Sequence, residues 1–490
     1  MAEYTPAEYG TPRNNPNAKQ RAWTTVATLD VIAEPITIPG MPQEWQSLIS
    51  RLLAIWYSKL GRNRVRRRYY DGKNRLKDFG ISTPPQLLDV ETVVGWPQKA
   101  VDALAVRSRF DGFSANDPDV QALLDNIADV SRIRVKYRQA VQGELIHSCC
   151  FATVKLAQNG APRIDIYDAE MATAAWDDAA GRIAYGLTIE QVDDGQVTAF
   201  DLLLPDYIVH CENHGAWMFA AEPHSLGVTP MAAFAYRPTL RRPFGVSRIN
   251  RSVMSLTDSA VRVALGGDIS YQFAVSPQKY LLNVDSNPFE EMPRWEAYIG
   301  SIFSVSNGED LGAPVFGQLS QASMQQTVDY MRLLASRFAA ETNIPLAQLG
   351  VASDANPSSA EALYAASEPL IIEAEDLNDG ARMTLKDLGT MALASVLGVP
   401  VDRITDELAD FSAIMRNPAM PSIVSQADAM IKVASVVPSF AGTDTFFEQL
   451  GFSEDIRRRI RSDMAAAQGT MILDSIFGGG ADGADTAISG

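Results

Sequence analysis

"ETNIPLAQLGVASDANPSSAEAL" (Glu341–Leu363) links two strongly patterned helical segments through a stretch with almost no charge, punctuated by Pro345 and Pro357. A loop of this length is uncommon inside a compact domain and, where present, is usually functional or disordered. Downstream, "PSSAE" reads as a capping box with Ser358 as N-cap and Glu361 at N3. The helix it opens runs toward Leu397, and Pro369 inside its pattern predicts a kink. Upstream, Met324, Val328, Met331, Ala335 and Phe338 share one stripe of a helix that starts near Ser320.

A second helical stripe lies further upstream. Ile249, Val253, Leu256, Ala260 and Val263 predict a helix over Gly245–Leu265, with Gly266–Gly267 loosening its end. Between the two stripes, residues 273–318 carry the strand-like runs "QKYLLNV" and "IGSIFSV" and several turn signals. The pattern is a helical hairpin with an inserted tip.

Working outward again, residues 1–40 are rich in Pro, Asn and Thr and read as an extended arm. Trp45, Leu48, Leu52, Ile55 and Trp56 then recur at helical spacing, followed by "RNRVRRRYY" with its dense arginines. "GWPQKAVDALAVRSRFDGF" predicts a short helix opened by Pro97 and closed near Asp111–Gly112. Residues 118–148 read as helical. From Phe151 the period changes to two, and turn signals such as Asn159–Gly160 separate about six strands of an antiparallel meander. Residues 421–468 read as two or three helices, and the Gly-rich end as a mobile tail.

The chain has 490 residues and a formal net charge of -17, which disfavours the usual basic kind of DNA-wrapping protein. Three cysteines supply no disulfide framework and suit a reducing compartment. The N-terminus lacks the apolar core of a secretory signal, and no apolar run is long enough to predict a transmembrane helix.

Candidate chemistry is sparse. His147, Cys149, His210, Cys211 and His214 are the soft ligands of "HSCC" and "HCENH", and offer a metal-dependent hydrolase as one reading. The usual ligand spacings are missing, so buried thiols and surface histidines are the plainer account. The pairs Asp177–Asp178 and Asp193–Asp194 fall in hairpin turns, where Asp is favoured for backbone reasons. No nucleophile-elbow, phosphate-loop or zinc-protease pattern occurs, so no enzyme and no cofactor are expected. The arginine run fits contact with a neighbouring acidic subunit better than contact with DNA.

The second half resembles a known family. "FAAETNIPLAQLGVASDANPSSAEALYAASEPLIIEAED" is similar to the signature of tailed-bacteriophage portal proteins, in the branch common in siphophages of Gram-positive hosts. Ile344, Pro345, Leu349, Gly350, Asn356, Pro357, Ser358, Ser359, Ala360 and Glu361 carry it. "RRRYYDGKN", "GWPQKAVDALAVRSRFDGF", "GVTPMAAFAYRPTLRRPFGVSRI" and "SIVSQADAMIKV" agree with other family segments in the same order, so the resemblance spans residues 45–465.

The resemblance implies an α+β portal fold with an α/β wing, helical-hairpin stem, small α/β clip, long kinked helix and helical crown. Its divisions here are an arm 1–40, wing 41–244 with the meander 151–236, stem helix 245–267, clip 268–318 and second stem helix 319–344. A tunnel loop 345–357, the long helix and wing return 358–420, a crown 421–470 and a tail 471–490 follow. The implied function is a ring-shaped DNA channel, dodecameric by family habit, at one capsid vertex. It serves genome packaging, head–tail connection and ejection, with assembly in the host cytoplasm before residence in the virion.

The implied partners are double-stranded DNA, the terminase large subunit, head–tail adaptors, and the major capsid and scaffolding proteins, with no membrane. Gln348, Val351, Ser353 and Asp354 are expected to approach the channel, and Asn287, Arg294, Glu309 and Asp310 to form the clip contact with terminase or adaptor. Arg248, Arg251 and Arg262 on the first stem helix are expected to face either the channel or neighbouring subunits. A different structural capsid or adaptor component is the remaining alternative.

Overall fold

A computed structural model describes residues 36–74, 92–156, 161–193, 196–275, 279–283, 313, 315–318, 324–350, 360–406, 408–419, 423–452 and 456–466. The first helix among the described residues is α1 (Gln43–Tyr70), whose last turns contain the arginine run. Ile49, Leu52, Leu53, Trp56 and Leu60 form its buried stripe, the i, i+3, i+4, i+7 spacing of a one-sided helix. Next come α2 (Trp96–Ala105), with Pro97 in its first turn, and β1 (Phe110–Ala115). The α2 helix stops well before Asp111 because Phe110 already pairs with Met415 across a ladder. Helix α3 (Pro118–Ser131) is capped by the Asp117 carboxylate, which accepts from the Asp119 and Val120 amides. A left-handed Arg132 separates it from α4 (Ile133–His147).

Eight strands follow: β2 (Cys149–Leu156), β3 (Pro162–Asp168), β4 (Ala172–Asp177), β5 (Arg182–Asp193), β6 (Gln196–Leu203), β7 (Tyr207–Asn213), β8 (Trp217–Pro223) and β9 (Met231–Ala235). They form two sheets rather than one meander. Strands β4 to β8 are ordered in sequence, whereas β9 returns to pair with β2 in the order β3-β2-β9. The strands absent from the alternating pattern, "ATAAWD" and "MAAFA", are alanine-rich, and alanine carries little strand preference of its own. Burial supplies what propensity lacks: Ala172, Ala174 and Met231 join Cys149, Phe151, Ile183 and Leu203 in one apolar cluster. The α1 stripe covers Leu187, Ile189, Phe200, Leu202 and Val209 of the five-stranded sheet.

The hairpin consists of α5 (Arg251–Val275) and α6 (Gln325–Thr342), about 37 and 27 Å long at 1.5 Å per residue. Helix α5 starts later than Gly245 because the preceding residues are committed elsewhere. Ser247 Oγ donates to the Ile146 carbonyl at 2.5 Å and accepts from the Ile249 amide at 3.0 Å. Asn250 Oδ1 then caps the helix by accepting from the Val253 amide at 2.9 Å. Gly245 sits at φ 66°, where an added Cβ would lie 2.2 Å from the Tyr236 carbonyl oxygen. Gly266 and Gly267 do not end α5, which continues through them to Val275. Beyond the helix, β10 (Lys279–Leu282) and β11 (Val315–Gln318) pair antiparallel and close the neck of the insert.

After α6 comes a short 3-10 turn, Leu346–Leu349, and then α7 (Ala360–Leu397), which runs unbroken through Pro369. Ser358, the expected N-cap, lies outside the described residues. Strand β12 (Phe411–Met415) brings the chain back to β1. The helices α8 (Ile423–Val436), α9 (Asp444–Gln449) and α10 (456–466) complete the described chain. The largest core collects α2, α3, α4, the inner face of β2 and β3, β9, the base of the hairpin and α7. Inside it, Ser108 Oγ contacts Tyr137 Oη at 2.7 Å and donates to Asn378 Oδ1 at 2.6 Å. A polar thread thus ties α4 to α7.

Candidate functional site

The base of the hairpin is where segments distant in sequence converge. Arg248, just before α5, and Glu373, on α7, form an ion pair in which each side chain keeps only 4% of its exposure. The Arg248 guanidinium also donates to the Ala100 carbonyl at 2.6 Å, the Thr342 carbonyl at 2.5 Å and the Tyr236 hydroxyl at 2.8 Å. Glu373 in turn accepts from Tyr236, from Asn343 Nδ2 at 3.2 Å, and pairs with Arg237 at 3.1 Å. Burial pushes the Tyr236 phenol up to about 12; Arg248 opposes this and Glu373 adds to it. One buried node therefore joins α2, the end of β9, the entry to α5, the exit of α6 and α7.

Around this node the hairpin is clamped further. Asn250 Nδ2 donates to Glu341 Oε1 at 2.7 Å, tying the first residues before α5 to the last turn of α6. Trp96 lies 5.0 Å from the Phe338 ring. The Tyr69 hydroxyl, at the end of α1, lies 2.9 Å from both Asp258 oxygens. Burial followed by the Asp258 charge raises the Tyr69 pKa, so the phenol stays protonated as donor.

Away from the base the hairpin leaves the body. On α6 burial begins only at Leu334, and on α5 the last buried side chain among those described is Val261. Gly267 faces α6, where an added Cβ would stand 3.2 Å from Thr327 Cγ2. The projecting part exposes Tyr271, Val328, Tyr330 and Leu333. Each described helix of the hairpin carries as many acidic as basic residues: Asp258 and Asp268 against Arg251 and Arg262 on α5, and Asp329 and Glu341 against Arg332 and Arg337 on α6.

The arginine expectations are corrected at Arg248, which faces neither a channel nor a neighbour: it is consumed by Glu373. Arg251 is exposed, and Arg262 is partly buried. The run on α1 is also partly internal. Arg66 donates to the His147 carbonyl at 2.6 Å and Arg67 to Asp168 at 2.7 Å, docking α1 on the end of α4 and on β3. Of the expected channel residues, Gln348 is exposed on the 3-10 turn. Val351, Ser353 and Asp354 lie outside the described residues, as do the clip residues Asn287, Arg294, Glu309 and Asp310.

The proposed soft-ligand cluster does not form. Cys149 and Cys211 belong to separate apolar clusters. His210 pairs with Asp201 at 2.8 Å, and His214 with Glu212 at 2.9 Å. The strand period drives this, since neighbouring residues on a strand point to opposite faces. Among the described residues the one group able to bring such ligand atoms together is His147, Asp168 and Glu170. Arg67 already lies within it, 3.3 Å from His147 Nε2 and 2.7 Å from Asp168, so its guanidinium supplies the positive charge there. Burial lowers the His147 pKa to about 4; Asp168 opposes the shift and Arg67 and Arg66 add to it.

Glu373, Tyr236, Thr342 and Asn343 were not singled out from the sequence. A signal for Glu373 was present: in "PLIIEAEDL" it falls on the same helical face as Leu370, Ala374 and Leu377, where a lone carboxylate requires a partner.

No family model matches the chain. It is 23% identical over 429 residues to the portal protein of Mycobacterium phage D29, covering 83% of this chain and 86% of that protein. It is 24% identical over 431 residues to the portal protein of Mycobacterium phage L5, with the same coverages of 83% and 86%. Among solved structures, a chain from the virion of a native gene transfer agent particle has a TM-score of 0.38 and 12% identity, covering 70% of this chain and 85% of that one. A chain from the neck of that particle, computed with C12 symmetry, has a TM-score of 0.40 and 10% identity, covering 74% and 89%. Over most of its length, the chain is similar to the portal proteins of tailed phages that infect mycobacteria.

Proposed function

We propose that the protein is a phage portal protein, a non-catalytic ring at one capsid vertex through which the genome is packaged and ejected and to which the tail is joined. The observation that carries this reading is the likeness to two phage portal proteins, with 83% of this chain matched to 86% of theirs. The local structure supports it. A hairpin that leaves the body with Tyr271, Val328, Tyr330 and Leu333 exposed has unfilled lateral contacts of the kind a ring of copies would satisfy.

In this reading α5 and α6 are the stem, the insert closed by β10 and β11 is the clip, and the segment after Pro345 is the tunnel loop. The clip, through Asn287, Arg294, Glu309 and Asp310, meets the terminase and later the adaptors. Gln348, Val351, Ser353 and Asp354 line the channel. ATP hydrolysis belongs to the separate packaging motor.

Charge suits the task. A ring of about twelve copies at -17 each carries roughly -200 formal charges, enough to dominate its surface field. A basic lining would hold phosphates through counterion release and slow a sliding duplex, whereas a neutral or acidic one does not. The residues from Pro345 to Gly350 carry no charge.

Electron microscopy of the purified protein tests the reading. The expected image is a ring of about twelve copies with an open centre. Compact particles without a projecting stem, at every concentration and also after co-expression with scaffold, would overturn it.

A further inference from the structure

Between β9 and α5 the chain makes a small closed turn. Thr239 and Arg242 exchange both backbone hydrogen bonds, at 3.1 and 2.8 Å, around Leu240 and Arg241. The base of this turn is fixed on both sides. The Val246 amide donates to the Tyr236 carbonyl at 2.9 Å, and the Gly245 amide to the Arg242 carbonyl at 2.9 Å. Arg237 takes a left-handed φ of 48° and is anchored to Glu373. The outcome is a rigid tip on which Leu240 is 102% exposed, flanked by exposed Arg241 and Arg242. A solitary exposed leucine is ordinary. One held at the apex of a closed turn, with backbone strain at its base, is preorganised.

The outward face of α7 offers the complement. Ile372 is 53% exposed, and Glu368, Glu375 and Asp376, at i-4, i+3 and i+4 from it, are exposed on the same side. An aliphatic side chain ringed by carboxylates thus stands on one surface, and an aliphatic side chain flanked by guanidiniums on another. Full exposure of Leu240 means that the two patches do not meet within one chain.

We propose that the Leu240 turn of one copy docks on the Ile372 face of α7 in the next copy. Leu240 packs on Ile372, and Arg241 and Arg242 lie opposite Glu375 and Asp376. The two patches differ, so the contact is heterologous, the kind that builds a ring when the rotation between successive copies closes. This inference rests on the ring reading above and names a contact that builds it. Because the turn is anchored to Glu373 and lies directly before Arg248, the contact would also brace the hairpin base.

The test uses the full chain. Sedimentation velocity over a range of concentrations compares wild type, R241E/R242E, and the charge-swapped R241E/R242E/E375R/D376R. Far-ultraviolet circular dichroism checks folding of each. In parallel, L240C/I372C is oxidised and examined for covalent dimers and higher multimers. The expected result is association weakened at least tenfold in R241E/R242E, restored in the swapped variant, with cross-linked ladders from L240C/I372C. Wild-type-like assembly of folded R241E/R242E without cross-links would overturn the docking and leave the ring standing. A wild type that stays monomeric throughout, with or without scaffold, would overturn both.

Discussion

Arg248 and Glu373, 125 residues apart in sequence, are paired and buried together at the point where the hairpin enters and leaves the body. Taking two charges out of water is costly, and the cost is met only when every remaining donor and acceptor is used. Here the guanidinium has carbonyl partners on α2 and α6 and a phenol partner at the end of β9. The pair therefore sets the geometry of five segments at once.

Removing Glu373 strands the buried Arg248, whereas removing Arg248 leaves Glu373 its second cation, Arg237. E373L is expected to lower the unfolding free energy by about 3–5 kcal/mol, the usual cost of an orphaned buried charge, and R248M to cost less. The double variant R248M/E373L should lose less than the sum of the singles. Urea unfolding of the four proteins checks this, and additive losses would mean that the two side chains act independently.

The neighbouring glycines of α5 should respond oppositely. Gly266 has nothing within 4 Å of an added Cβ, so G266A is expected to stabilise by about 0.5–1 kcal/mol through helix propensity. Gly267 faces Thr327, and G267V should separate α5 from α6 and lower the melting temperature. Equal shifts in thermal melts of the two variants would contradict the close approach.

Two histidines should give stability opposite dependences on pH. His147 titrates at about 4 in the folded chain, below its ordinary value of 6.5. Its contribution is complete above pH 6.5 and is lost as pH falls toward 4. The hydrogen bond to Asp201 raises the His210 pKa, partly offset by burial. That contribution is complete below pH 6.5 and is lost as pH rises through the folded value. Urea midpoints from pH 4 to pH 9 (about the range these groups cover) should therefore show a weaker acid loss in H147Q and a weaker alkaline loss in H210Q. Profiles parallel to wild type would count against both assignments.

The thiols should be silent in the native protein. Burial pushes Cys149 and Cys211 up to about 12 and raises Cys150 as well, so the reactive thiolate is scarce at neutral pH. A thiol-specific disulfide reagent is expected to label none of them promptly until urea is added. Rapid labelling without denaturant would show that these clusters open.

Shortening residues 348–355 should leave the ring intact but reduce DNA retention in assembled particles. Heads of unchanged DNA content by density-gradient sedimentation would remove the channel role assigned to Gln348, Val351, Ser353 and Asp354.

Much of the fold was legible because its signals are local. The helical stripes of α5 and α6, the six alternating strands and the Pro97 helix start all depend on residues within a turn or two of each other. The misreadings have nonlocal causes. Gly266–Gly267 reads as a helix end, but packing against Thr327 carries α5 through it. Alanine-rich β4 and β9 become strands because β5 and β2 pair with them. The soft-ligand cluster joined two stretches distant in sequence, which strand alternation and the separate cores keep apart.

By itself, the sequence determined the helix–insert–helix arrangement, the sparse charge of the loop after Pro345 and the likeness to portal proteins, since periodicity, composition and motif order are written along the chain. Only the tertiary structure decided that Arg248 is an internal anchor rather than a surface charge. It also decided that β9 returns to β2, and that Leu240 stands alone at the tip of a closed turn. The physical reason is shared: a side chain's cost or gain depends on what desolvates it and what it pairs with, and those partners, where they exist, come from segments far away along the chain.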